Sequence, residues 1–253
     1  MGSFVITLRE GFEAALIVGI VLAYLKKTGN LGRHARTVWW GVGLAVVFSL
    51  AIGGVLFATV GELEGTTEEL YEGTAMIIAA GVVTWMVFWM RRQAATIGGH
   101  LRDRVSESLL TGGGLALAAV VFIGVAREGL ETALFLFAST EESGAVVATI
   151  AAAAGLAVAI ALGVLFYRGA LRLDLARFFT ITSVLVILFA AYLLHGGLHE
   201  LGEVAGSELL EMAAPLAALL YGAGFAVLYL LDYRRRPKRA PAEDAESEPA
   251  AAA

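Results

Sequence analysis

Two copies of one five-residue motif carry the charges that could do chemistry in this sequence. Arg-Glu-Gly-Phe-Glu occupies residues 9–13, and Arg-Glu-Gly-Leu-Glu occupies residues 127–131. In each copy the two glutamates are three residues apart, so on a helix they share one face. The arginine precedes the second glutamate by four residues, which is within reach of an ion pair. Each motif therefore presents two carboxylates and one guanidinium on one side of a helix.

Both motifs lie inside apolar stretches, where charge is costly. Six charges cost on the order of 15–20 kcal/mol if values of about 2.5–3.5 kcal/mol for each simply add. Ion pairing offsets part of this cost, yet four glutamates against two arginines leave a surplus of two negative charges. Pairs that only pin helices together would not need that surplus, whereas a site for a multivalent cation does. We therefore predict a metal site formed by Glu10, Glu13, Glu128 and Glu131, with Arg9 and Arg127 balancing its charge.

The donor chemistry indicates which cation such a site prefers. Carboxylates are hard oxygen donors that suit Fe(III) and other hard cations. The chain has no cysteine, which excludes thiolate metal sites and disulfides. Arginine charge beside the carboxylates would weaken retention of the ion and allow its release. Gly11 and Gly129, between the glutamates, predict a close crossing of the two motif helices.

The elements that position these motifs are predicted to be membrane helices. The chain has 253 residues, 58% of them hydrophobic, and a mean hydropathy of +0.78. Apolar runs near 20 residues span the hydrocarbon layer of a bilayer, which is about 30 Å thick. We expect an all-α polytopic membrane protein with seven spans, at Phe4–Leu25, Val38–Val60, Thr74–Met90, Leu110–Ala138, Gly144–Tyr167, Phe178–Leu198 and Leu209–Leu231.

The basic residues predict the orientation of these spans. Every Lys and Arg except Arg9 and Arg127 lies in alternate loops or after the last span, and the other loops contain none. Cytoplasmic loops carry the excess of Lys and Arg. The amino terminus is therefore expected outside and the carboxyl terminus inside.

The two motifs then lie in spans of opposite direction, the first and the fourth. The second motif follows the first by three spans, which is typical of an inverted-topology repeat. We predict a membrane domain over residues 1–233, with repeat one at about 1–92, repeat two at about 108–198 and an extra helix at about 209–231. Residues 234–253 are basic, then acidic and rich in Ala and Pro, and are expected to form a disordered cytoplasmic tail.

A second constellation lies on the predicted outer side. His195, His199 and Glu203 follow one another at four-residue steps, and Glu200 lies beside them. They form a capture site that feeds the motif glutamates, a contact for the partner protein, or only a polar helix end at the headgroups. Gly196 and Gly197 could break the helix and undo the alignment. Position 203 is Glu, so the segment lacks the second histidine of a zinc-protease motif.

The twin motifs in spans one and four, the seven spans and the outward amino terminus resemble the oxidase-dependent iron permeases of the iron/lead transporter family. The resemblance covers residues 1 to about 233. It implies that Glu10, Glu13, Glu128 and Glu131 bind and pass iron, and that extracytoplasmic proteins oxidise or deliver that iron. Fungal members carry an outer Glu-x-x-Glu, to which Glu69 and Glu72 are similar. It also implies a plasma-membrane location, in a bacterium or archaeon.

The expected function is thus iron import, preferably of ferric iron, with iron as substrate and no cofactor. One alternative keeps the fold and changes the ion to lead, manganese or another divalent metal. Another is a proton-coupled carrier in which the glutamates relay protons. An intramembrane enzyme or electron carrier would need a nucleophile, facing haem-ligating histidines or a hydrolase motif, and we identify none at the central depths of the spans. Nucleic acid is not an expected partner.

Overall fold

The computed structural model describes residues 2–60, 66–93, 97–111, 113–170 and 175–235. The regular elements in these ranges are all α-helices. They are α1 (Gly2–Lys27), α2 (Leu31–Val60), α3 (Thr66–Gln93), α4 (Ile97–Thr111), α5 (Gly113–Ser143), α6 (Ala145–Tyr167), α7 (Leu175–Ala205) and α8 (Glu208–Arg235). The all-α prediction is confirmed for this part of the chain. Residues 236–253 of the predicted tail lie outside it.

Six described helices are long and apolar enough to cross a membrane, namely α2, α3, α5, α6, α7 and α8. The first predicted span corresponds to α1, a helix of 26 residues that is not one of these six. Arg9, Glu10 and Glu13 interrupt its apolar sequence, and Lys26 and Lys27 end it. Apolar composition alone therefore accounts for six of the seven predicted spans.

Several helices differ from the predicted spans in length. α3 begins at Thr66, ahead of the predicted Thr74, and α7 runs on to Ala205, past the predicted Leu198. Gly196 and Gly197 do not break α7. The segment between the third and fourth predicted spans forms a separate helix, α4, which packs against α5 and α1.

The helices pack in pairs around α1 and α5, the two helices that carry the motifs. α1 packs along α6, α5 packs along α2, and α1 and α5 also contact each other. α3 packs along α7, and α8 covers the other side of α7. Each motif helix therefore packs against one apolar helix and against the other motif helix.

Two main apolar cores hold this arrangement together. One joins α3, α7 and α8 to Ile6 of α1 and Phe135 of α5. The other joins α1, α2, α4 and α5 around Val21, Leu117 and Val121. Many large apolar side chains of α2, α6 and α8 point away from both cores and are exposed. Apolar faces of this extent are expected of helices that meet lipid.

α3 and α7 approach each other closely because two glycines meet at their contact. A Cβ atom added to Gly197 would lie 2.7 Å from the carbonyl oxygen of Gly73. The contact thus requires residues without side chains. It brings the beginning of α3 against the end of α7, where the predicted outer residues lie.

Candidate metal centre

α1 and α5 bring three glutamates of the two motifs to one point. Glu10, Glu128 and Glu131 each offer a ligand atom, and these atoms lie within 4.8 Å of one another. Glu10 and Glu128 have side chains that are 1% exposed. Among the described residues, this is the one group of three or more carboxylate or imidazole side chains that could hold a metal ion. The two motifs, which begin 118 residues apart at Arg9 and Arg127, thus form one centre.

Glu13 lies at the edge of this centre. It is not part of the compact group of three, but it interacts electrostatically with Glu128 and Glu131. Its side chain is 12% exposed, so it too is largely buried. The sequence prediction placed all four glutamates together, and the geometry divides them into three that converge and one beside them.

Each arginine bridges the two glutamates of its own motif. Arg9 Nη1 is 3.3 Å from Glu10 Oε1, and Arg9 Nε is 3.4 Å from Glu13 Oε1. Arg127 Nε is 3.1 Å from Glu128 Oε1 and 3.5 Å from Glu131 Oε1. The predicted ion pairs at four-residue spacing are therefore present. The four carboxylates share two guanidinium partners. The six groups therefore have a net charge of −2 when all are ionised.

The second oxygens of the converging glutamates have no partner. Oε2 of Glu10, of Glu128 and of Glu131 is buried and makes no hydrogen bond. Glu10 and Glu128 also lie within hydrogen-bonding reach of each other, although both are acceptors when ionised. Buried, unpaired carboxylate oxygens are costly unless a proton or a cation is shared between them. These residues therefore fit a hard metal cation.

The two arginines have different surroundings. The side chain of Arg9 is 3% exposed, donates from Nη2 to Met90 Sδ at 3.2 Å, and interacts electrostatically with Tyr229 of α8. The side chain of Arg127 is 37% exposed, and its Cζ atom lies 5.3 Å from the ring centroid of Trp89. Sequence reasoning missed all three of these contacts, because a methionine, a tryptophan and a tyrosine in apolar helices give no signal of their own.

The motif glycines allow close helix packing. We had expected this packing between the two motif helices, but each glycine instead faces a supporting helix. A Cβ on Gly11 would lie 3.0 Å from Ala159 Cβ on α6. A Cβ on Gly129 would clash with Ser49 on α2. Glycine lies one residue after the first motif glutamate, so it faces away from the carboxylates toward the supporting helix. The expectation that Gly11 and Gly129 provide a close crossing of the two motif helices is wrong for this geometric reason.

The predicted outer residues lie together at the beginning of α3 and the end of α7. Glu200 interacts electrostatically with Glu69 and Glu72, and His199 Nδ1 is 3.6 Å from Glu203 Oε1. The ring centroids of His195 and His199 are 6.2 Å apart. Among described residues these groups do not converge within 4.8 Å as the motif glutamates do. They form a loose polar cluster, not an assembled metal site.

Comparison with known proteins shows which family this chain is similar to. Residues 1–218 match the model of the Iron permease FTR1 family. A protein of Escherichia coli called "Ferrous iron permease EfeU" is 40% identical over 220 residues, which are 86% of this chain and 79% of that protein. A protein of the same name from Yersinia pestis is 42% identical over 204 residues, or 79% of this chain and 72% of that protein. No solved structure matches the chain.

These relatives are permeases, which are transporters, and their similarity extends over most of both chains. Together with the six apolar helices, this makes the chain an integral membrane protein. The resemblance inferred from the twin motifs is confirmed: the chain belongs to the Iron permease FTR1 family.

Proposed function

We propose that this protein imports iron across a bacterial plasma membrane, and that the ion passes through the centre formed by Glu10, Glu13, Glu128 and Glu131. The observation that carries the proposal is the convergence of three glutamates from two helices, each with a buried oxygen that has no partner. Membership of an iron permease family supports iron as the ion.

The arginines give the centre a way to release what it binds. Carboxylates alone would retain a highly charged ion in a region of low dielectric constant. Arg9 and Arg127 each contact both carboxylates of one motif and compete with the ion for them. We propose that the arginines exchange partners with the ion as it passes.

The proposed architecture has α1 as a seventh span, repeats of three helices and an outward amino terminus. Helix packing supports it, because the contact of α1 with α6 has a counterpart in that of α5 with α2. α3 packs on α7, its equivalent in such a repeat, and α8 stands outside the scheme. The charge asymmetry of the loops supports the orientation.

Two oxidation states of iron are candidates. The hardness of carboxylate donors favours Fe(III), as predicted from the sequence. The balance of two negative charges in the centre, and the name "ferrous iron permease" of the relatives, favour Fe(II). Uptake measured with ascorbate, and again with an Fe(II) chelator present, distinguishes them.

We further propose that the outer cluster collects cations for the centre and faces an extracytoplasmic protein that oxidises or delivers iron. It consists of Glu69, Glu72, His195, His199, Glu200 and Glu203. Its surplus of carboxylates supports attraction of cations.

An alternative is that another divalent metal is the substrate. If manganese or lead in excess abolished iron uptake and was itself transported, this alternative would be favoured.

The main test is uptake of radioactive iron by cells that express the wild type or single Glu→Gln variants at the four motif positions. We expect uptake to fall at least about tenfold for Glu10→Gln and Glu128→Gln at equal surface level. Glu208→Gln, at an exposed position at the beginning of α8, is the matched control and should transport normally. Normal uptake by all four motif variants would refute the proposal. Coupled uptake of protons without iron would favour the proton carrier instead.

A further inference from the structure

We propose that Trp89 is a positioning residue of the carboxylate centre. Its ring face holds the guanidinium of Arg127 against Glu128 and Glu131, and thereby sets how tightly the centre retains a metal cation. This inference rests on the function proposed above and adds a residue that lies outside both motifs, on α3.

Arg127 makes two kinds of contact. Its Nε lies 3.1 Å from Glu128 Oε1 and 3.5 Å from Glu131 Oε1. Its Cζ also lies 5.3 Å from the centroid of the Trp89 ring, within the range of a cation–π contact. Tryptophan is the aromatic residue that binds a cation most strongly through its ring face. Two carboxylates and one aromatic ring thus contact the guanidinium.

Comparison with Arg9 explains why this contact is important. Arg9 is almost fully buried and is fixed further by Met90. Arg127 has 37% of its side chain exposed, and an exposed ion pair by itself is worth little. The ring of Trp89 supplies the additional contact that retains Arg127 at its carboxylates. Consecutive residues of α3, Trp89 and Met90, therefore contact one arginine each.

The Trp89 ring is itself held in place. The ring of Trp85, one helical turn earlier, stacks on it with centroids 6.0 Å apart and planes 22° apart. Trp85 itself is 65% exposed. A ring stacked in this way presents a fixed surface to Arg127.

Arg127 and the metal cation compete for the same carboxylates, so Trp89 should affect how tightly the cation binds. A guanidinium retained at Glu128 and Glu131 weakens the attraction of these carboxylates for a cation. Without the ring, Arg127 leaves them more often, so the centre binds the cation more tightly and releases it more slowly. Loss of Trp89 should therefore strengthen binding and lower the maximal transport rate. A residue with a merely structural role would lower transport without strengthening binding.

The test measures anaerobic Fe(II) binding to purified, detergent-solubilised protein together with uptake kinetics in cells. We expect Trp89→Leu to lower the Kd by about two- to fivefold, and Trp89→Phe to have a smaller effect, in the order of cation–π strength. Both the half-saturating concentration and the maximal rate of uptake should fall. Arg127→Gln should lower the Kd further, and Trp89→Leu should add nothing in that background.

Trp40→Leu is the matched control, because Trp40 is a similarly large but exposed residue of α2 that should leave Kd and uptake unchanged. An unchanged or higher Kd in Trp89→Leu, or an equal effect of Trp89→Leu with and without Arg127, would overturn the inference. If Trp89→Leu is not monodisperse, Trp89→Phe against Trp89→Tyr provides the same comparison. Glu128→Gln separates the two proposals: if it leaves Fe(II) binding intact, the carboxylate centre itself is wrong, and the role of Trp89 falls with it.

Discussion

At the scale of single residues, the motif glutamates have unequal positions although their sequence context is the same. Glu10, Glu128 and Glu131 converge, and Glu13 lies beside them. The direction of each side chain causes this difference. The two motif helices have opposite predicted directions, so equivalent residues of the two motifs approach the contact between the helices differently. The proposed centre therefore has three principal ligands and one auxiliary carboxylate.

This inequality predicts a graded effect on metal binding. Glu128→Gln replaces a converging donor by a neutral, weaker one and should raise the Kd for Fe(II) at least about tenfold. Glu13→Gln should raise it only severalfold, because Glu13 contributes its charge from the edge of the group. Titration of both purified variants provides the measurement, with Glu208→Gln as control. Equal effects of the two substitutions would contradict the division.

The arginines should differ in their contribution to stability. Arg9→Gln leaves Glu10 and Glu13 buried without their ion pairs, and breaking a buried pair costs about 3–5 kcal/mol. Arg127→Gln should cost clearly less, because Arg127 is partly exposed. The thermal unfolding midpoint in detergent, at fixed pH and without metal, is the measurement. A larger destabilisation by Arg127→Gln than by Arg9→Gln would refute this ordering.

At the scale of helices, the centre depends on how closely α2 and α6 support the motif helices. Gly129 packs against Ser49 of α2, and Gly11 packs against α6. A side chain at either glycine would move a motif helix, and with it the carboxylates that the helix carries. The glycine of the motif is thus as much a part of the site as its charged residues.

A substitution pair tests this support. Gly129→Ala places a Cβ against Ser49 and should destabilise the protein by about 1–3 kcal/mol through overpacking. Ser49→Gly removes the obstructing side chain and should restore part of the loss in the double variant. Gly19→Ala, in open space on α1, is the control and should be neutral or slightly stabilising. If Ser49→Gly and Gly129→Ala simply add, the two residues are not in contact as described.

α8 is attached to the bundle through a polar contact as well as through apolar packing. Tyr221 Oη is 2.8 Å from Thr84 Oγ1 and 3.1 Å from the carbonyl oxygen of Ala80 on α3. We expect Tyr221→Phe to lower stability by about 1 kcal/mol, a typical net value for a hydrogen bond. Thermal unfolding of Tyr221→Phe beside Tyr167→Phe, an exposed tyrosine of α6, gives the comparison. A smaller loss for Tyr221→Phe than for Tyr167→Phe would exclude this role.

At the scale of the whole molecule, orientation in the membrane is the prediction that matters most for import. The natural absence of cysteine makes single-cysteine labelling possible without background. Ala205→Cys, at the end of α7, should react in intact cells with a membrane-impermeant maleimide. Ala170→Cys, after α6, should react only after permeabilisation. The reverse pattern would invert the orientation and place the outer cluster inside the cell.

Composition and short-range sequence patterns were sufficient to predict the class of the protein, its apolar helices, its family and the two charged motifs. Each of these depends on composition or on residues close together in the chain: apolar length suits a bilayer, and a four-residue spacing places Arg9 beside Glu13. The unexpected features, α4 and the longer α3 and α7, arise where helices continue beyond the apolar runs.

The contacts between helices, in contrast, became known from the packing of the fold. It selected three converging glutamates out of four, turned Gly11 and Gly129 toward α6 and α2, and placed Trp89 and Met90 on the arginines. The physical reason is that successive residues point in different directions around a helix axis. A modest rotation or shift of one helix exchanges its partners while the sequence pattern stays the same.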